Sequence, residues 1–223
     1  HYSRYLQRLL NADPSLCEWI TRPPVALNPT ALDGLLDFSS ITDETALCRH
    51  LRRTRQIIML QIIVADLAGE TPIITVFKMM TNFADAVIRK TLAWLHRRLV
   101  TVYGEPSSDD GKPQTLMVVA MGKLGGEELN VSSDIDLIFI YPRDGETQGQ
   151  KKIDNADFFA KLGKKLIKTL SEVTEDGFVF RVDMRLRPNG EAGPLVSSLA
   201  ALENYFITQG REWERYAWLR ART

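Results

Sequence analysis

The sequence predicts an α+β protein: a helical N-terminal region followed by a small mixed β-sheet flanked by helices. Three observations carry this. Apolar residues recur at helical spacing through roughly the first hundred positions. A polar stretch rich in Pro, Gly and Ser, GEPSSDDGKPQ at 104–114, then interrupts the pattern. Beyond it the apolar residues gather into short runs, TLMVVAM and DLIFIY, of the length and β-branched content of buried strands. The expected organisation is a helical region at 1–103, a linker at 104–114, a catalytic core at 115–197 and C-terminal helices at 198–223.

The elements follow in order. HYSRYLQRLL places Tyr2, Tyr5, Leu6, Leu9 and Leu10 on one helical stripe. Pro23-Pro24 stops any helix. NPTALDGLLDF starts a short one, with Asn28 as N-cap and Pro29 at the first helical position. A long helix is expected from about Asp43 to near Gly69, and a second from Pro72 or Ile73 to Tyr103. Past the linker, TLMVVAM is a buried strand, KLGGEELN a loop with a helical turn, and DIDLIFIY a second strand ended by Pro142. PRDGETQGQKKI reads as an exposed flexible loop and DNADFFAKLGKKLIKTLSEV as an amphipathic helix. DGFVFRVDMRLRP alternates, so a third strand is expected. It has Phe178, Phe180, Val182, Met184 and Leu186 on one face and Val179, Arg181, Asp183, Arg185 and Arg187 on the other. The last segment forms two helices, or one bent at Gly210. His1 in place of Met, and a helix still running at Thr223, suggest a fragment of a longer polypeptide.

Composition narrows the function. Twenty-eight basic residues balance twenty-eight acidic ones in 223, so no global field favours nucleic acid or an anionic membrane. The most apolar run, IIMLQIIVADLAG, is broken by Gln61 and Asp66 and is shorter than the ~20 residues of a membrane span. It reads as a buried helix. Cys17 and Cys48 lie far apart, as structural thiols of a reducing, cytoplasmic compartment would. The three histidines, His1, His50 and His96, all fall in the helical half, which leaves a Ser-His-Asp mechanism unsupported. RHLRRTR from Arg49 reads as a solvated helix face, Met79 and Met80 as core, and Trp213 and Trp218 as core rather than as stacking platforms for a base.

The chemistry concentrates in VVAMGKLGGEELNVSSDIDLIFIYP. Asp134 and Asp136 flank one isoleucine at the mouth of an apolar strand, where residues i and i+2 point the same way about 6.5 Å apart. Ionised carboxylates at such a place need a cation or hydrogen-bond donors. Alone, the pair is more simply a strand-end cap, and Asp183 alone is more simply an ion pair. Together, three carboxylates with arginines at the edge suit Mg²⁺ or Mn²⁺, and two such ions about 4 Å apart clamp an in-line phosphoryl displacement. Gly122 follows the first strand directly, where backbone amides can meet a phosphate with no side chain in the way. Lys123 adds positive charge. The spacing is not that of a Walker A loop.

Met121-Gly122-Lys123, ten residues from Leu124 to Ser133, Asp134-Ile135-Asp136 and a later Asp183 resemble the nucleotidyltransferase superfamily. Lys123 departs from it, standing where many members carry Gly or Ser. Gly122–Leu129, Ser132–Phe139 and Phe180–Val196 resemble more closely the glutamine synthetase adenylyltransferase family of bacteria. Its members carry two copies of this domain, one attaching AMP to a tyrosine of glutamine synthetase and the other removing it by phosphorolysis. QGREWERYAWLRAR from Gln209 is similar to the removing copy.

The resemblance implies a metal-dependent enzyme using two ions, Mg²⁺ or Mn²⁺. Asp134, Asp136 and Asp183 would be catalytic and metal-binding. Gly122, Lys123, Ser132 and Ser133 would lie along the phosphates, with Arg185 and Arg187 as phosphate or AMP contacts. The implied reaction takes phosphate and releases ADP, with glutamine synthetase as protein substrate and the PII signal protein as regulator. The adenylylating copy, which uses ATP, and a non-catalytic binding module are the alternatives. Neither nucleic acid nor a membrane is expected as a partner.

Overall fold

The computed structural model describes residues 3–69 and 71–223. The chain opens with α1 (Arg4–Ala12), capped by Ser3, whose hydroxyl accepts from Leu6 N at 3.3 Å. Of the expected stripe, Leu9 is buried and Leu6 and Leu10 pack beside it against Leu16, Ile57 and Leu60, while Tyr5 is exposed. Tyr2 and His1 lie outside the described residues. Two 3-10 turns, Pro14–Trp19 and Val25–Leu27, lead to α2 (Pro29–Leu35). Asn28 caps it as expected, accepting from Ala31 N at 3.1 Å. The long helices are α3 (Glu44–Leu67) and α4 (Ile73–Tyr103). Asp43 caps the first by accepting from Ala46 N at 2.8 Å, and Gly104, at φ +83°, takes the chain out of the second. Met79 and Met80 are core residues, and Cys17 and Cys48 are free thiols. Among the described residues, no helix is long and apolar enough to cross a membrane.

The segment expected as linker contains β1 (Pro106–Ser108), which pairs antiparallel with β4 (Gly145–Thr147). The segment expected as a flexible loop supplies the second strand of this ribbon. Its strands are polar, so no apolar alternation announces them. They are held by Asn155 at the start of α6 (Asn155–Ser171), whose side-chain amide donates to Ser107 O at 3.0 Å.

The main sheet is built around β3 (Ile135–Tyr141). β2 (Met117–Met121) runs antiparallel along one edge. On the other edge, two short parallel strands share the length of β3: β5 (Val182–Asp183) at its start and β6 (Val196–Ser198) at its end. α5 (Gly122–Gly125), a single turn, joins β2 to the loop before β3. α7 (Leu199–Thr208) and α8 (Glu212–Trp218) are separate helices meeting at Gly210. Alternation along β3 divides the side chains. Ile135, Leu137, Phe139 and Tyr141 join the core formed with α4 and α6, while Ile138 and Ile140 pack with Val119, Met121 and Leu202 under α7 and α8. α6 closes tightly on β3 at Gly163, where an added Cβ would stand 2.8 Å from the Phe139 ring. The first core runs without a break from Val25 through α3, α4 and α6 to Val196, so the helical region and the sheet share one interior.

Further expectations change. The last helix does not run on to Thr223: it ends at Trp218, and Arg222 forms a backbone bridge with Ala120 beside β2. The third strand spans only Val182–Asp183. Before it, Val179 N and Phe180 N donate to Leu170 O at 2.9 and 3.0 Å, so that backbone is spent on the end of α6 rather than on a ladder. Arg52, expected on a solvated face, is 1% exposed. Trp213 is half exposed, because α8 buries Glu214 and packs Ala217 and Trp218 inward, leaving Trp213 outside. Trp218 does pack, edge-on to Phe206.

Candidate active site

Strand register assembles the site. Met121 pairs with Asp136, and Asp136 pairs with Asp183, so the end of β2, the start of β3 and β5 stand side by side. Neighbouring strands lie about 4.8 Å apart, which puts two carboxylates from distant sequence positions on adjacent strands. Gly122, one residue past β2, adopts φ +54°. A Cβ there would sit 2.6 Å from Asp136 Oδ2, so only glycine leaves the Asp136 carboxylate its place. Gly122, Asp136 and Asp183 thus lie side by side at neighbouring strand ends.

The three carboxylates differ in environment. β3 begins at Ile135, so Asp134 stands just outside the ladder. Its carboxylate pairs with the Arg181 guanidinium, which also donates to Ser132 O at 2.9 Å. Asp183 is gripped by Arg185: the backbone amide donates to Oδ1 at 2.8 Å and the side-chain Nε to Oδ2 at 2.8 Å. That grip, outweighing the upward push of partial burial, holds the Asp183 carboxyl below the usual range. Asp136 goes the other way. Burial, then the negative charges of Asp183 and Asp134, push its carboxyl upward, against the weaker pull of Arg185 and Lys123. A half-buried carboxylate flanked by two others is an electrostatic deficit that a cation removes.

All these donors are hard oxygens, the set that suits Mg²⁺ or Mn²⁺. As the side chains stand, no three His, Cys, Asp or Glu side chains among the described residues close on one point. The geometry gives the reason: Asp134 is turned to Arg181 and Asp183 to Arg185. Both arginines are exposed, so a divalent ion could displace them at little cost.

The remaining expected residues are placed less directly. The Ser132 and Ser133 hydroxyls donate to Asn130 Oδ1 at 3.2 and 2.8 Å, ordering the loop that delivers Asp134. Lys123 is exposed on the single turn of α5, close enough for its charge to act on Asp136. Arg187 is engaged in its own turn, donating to Met184 O at 2.8 Å and Glu191 O at 3.1 Å, and so shapes the loop after β5. Sequence reasoning missed Asn130, although Asn followed by Ser two and three residues on is the signature of an Asx turn. It named Arg181 only as a face-mate of Asp183. A larger cavity of about 620 Å³ lies elsewhere, between α4 and the outer edge of β2. Leu92, Leu116 and Val118 give it an apolar wall without a carboxylate cluster, so it lacks the chemistry of the carboxylate site.

The Glutamate-ammonia ligase adenylyltransferase family matches residues 1–223. The chain is 51% identical over 230 residues to the bifunctional glutamine synthetase adenylyltransferase/adenylyl-removing enzyme of Nitrosomonas europaea, covering 99% of the chain and 24% of that relative. The enzymes of the same name from Aromatoleum aromaticum and Ralstonia nicotianae are 49% and 46% identical, over 99% and 100% of the chain and 24% of each relative. The chain therefore spans about a quarter of the length of these curated relatives. With a match along its whole length, the chain belongs to the glutamate–ammonia ligase adenylyltransferase family.

Proposed function

We propose that the chain is a deadenylylating nucleotidyltransferase domain: it removes AMP from a tyrosine of glutamine synthetase by phosphorolysis and releases ADP. The observation that carries the reaction class is the pairing of Asp136 with Asp183 against Gly122. The direction of the reaction rests on the segment from Gln209, similar to the AMP-removing copy of the family. Asp134, Asp136 and Asp183 would hold two ions, Mg²⁺ or Mn²⁺, which when bound supply positive charge to the phosphoryl oxygens.

The chain's own residues do the rest. Gly122 leaves backbone open where a phosphate approaches, and Lys123 beside it supplies charge. Arg185 and Arg181, released from their aspartates, become forked donors for phosphate oxygens at the rim. Arg187 shapes the loop behind them. An oxygen of inorganic phosphate forms a bond to the α-phosphorus, the bond from that phosphorus to the tyrosyl oxygen breaks, and the tyrosyl oxygen takes up a proton. Phosphate is already anionic near neutrality, so no histidine base is needed. Glutamine synthetase is the protein substrate in this reading, the PII signal protein the regulator, and the cytoplasm the place of action.

The test is direct. Adenylylated glutamine synthetase incubated with the chain, Mg²⁺ and phosphate is expected to yield ADP. Asp134→Asn and Asp136→Asn are each expected to lower that rate at least about 100-fold with the circular dichroism spectrum retained. Pyrophosphate release from ATP in place of ADP formation would assign the opposite direction, and unchanged rates in both variants would remove the metal reading.

A further inference from the structure

Arg52 and Arg55 lie one turn apart on α3 and both reach out of the helical half to the backbone that leads into β5. Arg52 donates from Nε to Gly177 O at 2.8 Å, from Nη1 to Thr169 O at 3.3 Å and Cys48 O at 3.0 Å, and from Nη2 to Glu172 O. Three of these acceptors lie at or beyond the last turn of α6, where carbonyls lack helical partners. Arg55 donates from Nε to Val179 O at 2.8 Å, with its guanidinium 5.0 Å from the centre of the Phe178 ring. Two residues on, Arg181 O accepts from Ile135 N at 2.9 Å and the Arg181 side chain pairs with Asp134. Val182 and Asp183 then pair with Ile135 and Asp136. Along one short stretch the chain thus meets α3, then Asp134, then supplies the third carboxylate.

We infer that Arg55 is a positioning residue for the carboxylate site, holding Arg181 and Asp183 in register against Asp134 and Asp136 from the helical half of the molecule. The inference rests on the metal-dependent reading of the site. Arg52 and Arg55 divide the work. Arg52 is buried and closes the end of α6, so it belongs to the fold. Arg55 is only partly buried and fixes the Val179 carbonyl, two residues before Arg181. A hollow of about 190 Å³, lined by Arg55, Ser132, Ser133 and Arg181 among others, adjoins this carbonyl. Without Arg55 the segment has room to relax into it, and β5, only two residues long, has little ladder of its own with which to resist. Supporting groups of this kind typically change metal affinity by about tenfold or more.

The experiment measures Mn²⁺ binding to the chain by electron paramagnetic resonance, together with the Mn²⁺ dependence of turnover. Arg55→Ala is expected to bind Mn²⁺ about tenfold more weakly and to need correspondingly more for half-maximal rate, with the saturated rate close to wild type. Arg53→Ala, which breaks a surface pair with Asp13 on the same helix, is expected to change neither. Should Arg55→Ala not fold, Arg55→Lys, with its single shorter donor, carries the test, and about a threefold weakening is expected. Wild-type Mn²⁺ affinity in the folded variant overturns this inference alone. Absence of Mn²⁺ binding in the wild-type chain removes the metal reading, and this inference with it.

Discussion

Arg52 in the helical half and the arginines at the mouth of β3 face different acceptors. In the helical half, Arg52 is 1% exposed and its assigned hydrogen bonds all go to backbone carbonyls. At the mouth of β3, Arg181 and Arg185 have side chains 61% and 72% exposed and hold carboxylates. The difference lies in what can replace them. Nothing in water competes for a buried carbonyl already desolvated by the fold, so Arg52 is a permanent staple. Asp134 is at the surface, where pairing with an exposed arginine is worth little, and the side chain of Arg185 that grips the more buried Asp183 is itself exposed. The first arrangement builds a structure, whereas the second leaves both arginines exposed on the surface.

The sharpest way to break this contrast is Arg52→Ala. It removes the side-chain donor from Thr169 O and Glu172 O at the end of α6, while Cys48 O and Gly177 O keep backbone partners, and unsatisfied buried acceptors cost about 1–3 kcal/mol each, part of which entering water recovers. A net loss of about 3 kcal/mol is expected by urea unfolding, and a loss under ~1 kcal/mol would dissolve the distinction. Next in size is the effect of Mn²⁺ on stability and its change with pH. Mn²⁺ at about 100 times its Kd is expected to add about 2.7 kcal/mol near pH 7.5.

The sign of the pH effect follows from Asp136. Its carboxyl is raised in the folded chain, so ionised Asp136 costs stability at neutral pH. That cost disappears as pH falls through the raised value. The Mn²⁺ increment is therefore expected to shrink as the solution is acidified. Asp183, held low by Arg185, contributes stability above the ordinary carboxyl range, and it is lost only as pH falls through its depressed value. Thermal scans with and without Mn²⁺ from pH 7.5 to 4 check this; an increment that stays constant would detach the ion from Asp136. Smallest of all is Arg185→Ala, for which the melting temperature is expected to fall by about 2–4 °C, since the side-chain grip that lowers the Asp183 carboxyl is lost while the backbone amide bond at residue 185 remains. Mn²⁺ should bind the variant at least as tightly, since Asp183 is then released. Weaker Mn²⁺ binding would make Arg185 a support of the site rather than a placeholder.

Much of the fold was legible because local chemistry decided it. Asp43 and Asn28 cap their helices where expected, since a short side-chain acceptor ahead of an apolar stripe satisfies orphan amides whatever surrounds it. The strand before Gly122 and the strand after Asp134 were readable as apolar runs. The ribbon of β1 and β4 was not, because its strands are polar and hold by backbone pairing and by Asn155. The length of β5 was not readable either. Its alternation is genuine, yet Leu170, Arg52 and Arg55 take the backbone groups that a ladder would have used.

By itself, the sequence singled out the candidates for the chemistry. Gly122, Asp134, Asp136 and Asp183 stood out through their spacing and its resemblance to the nucleotidyltransferase superfamily. Tertiary structure alone decided how those carboxylates differ. Strand register set Asp183 beside Asp136, and the arginines reached Asp134 and Asp183 but left Asp136 to burial and like charge. A carboxylate's protonation and its readiness for a cation depend on charges within a few ångströms, and those neighbours come from positions up to about fifty residues away in the chain, brought together only by folding.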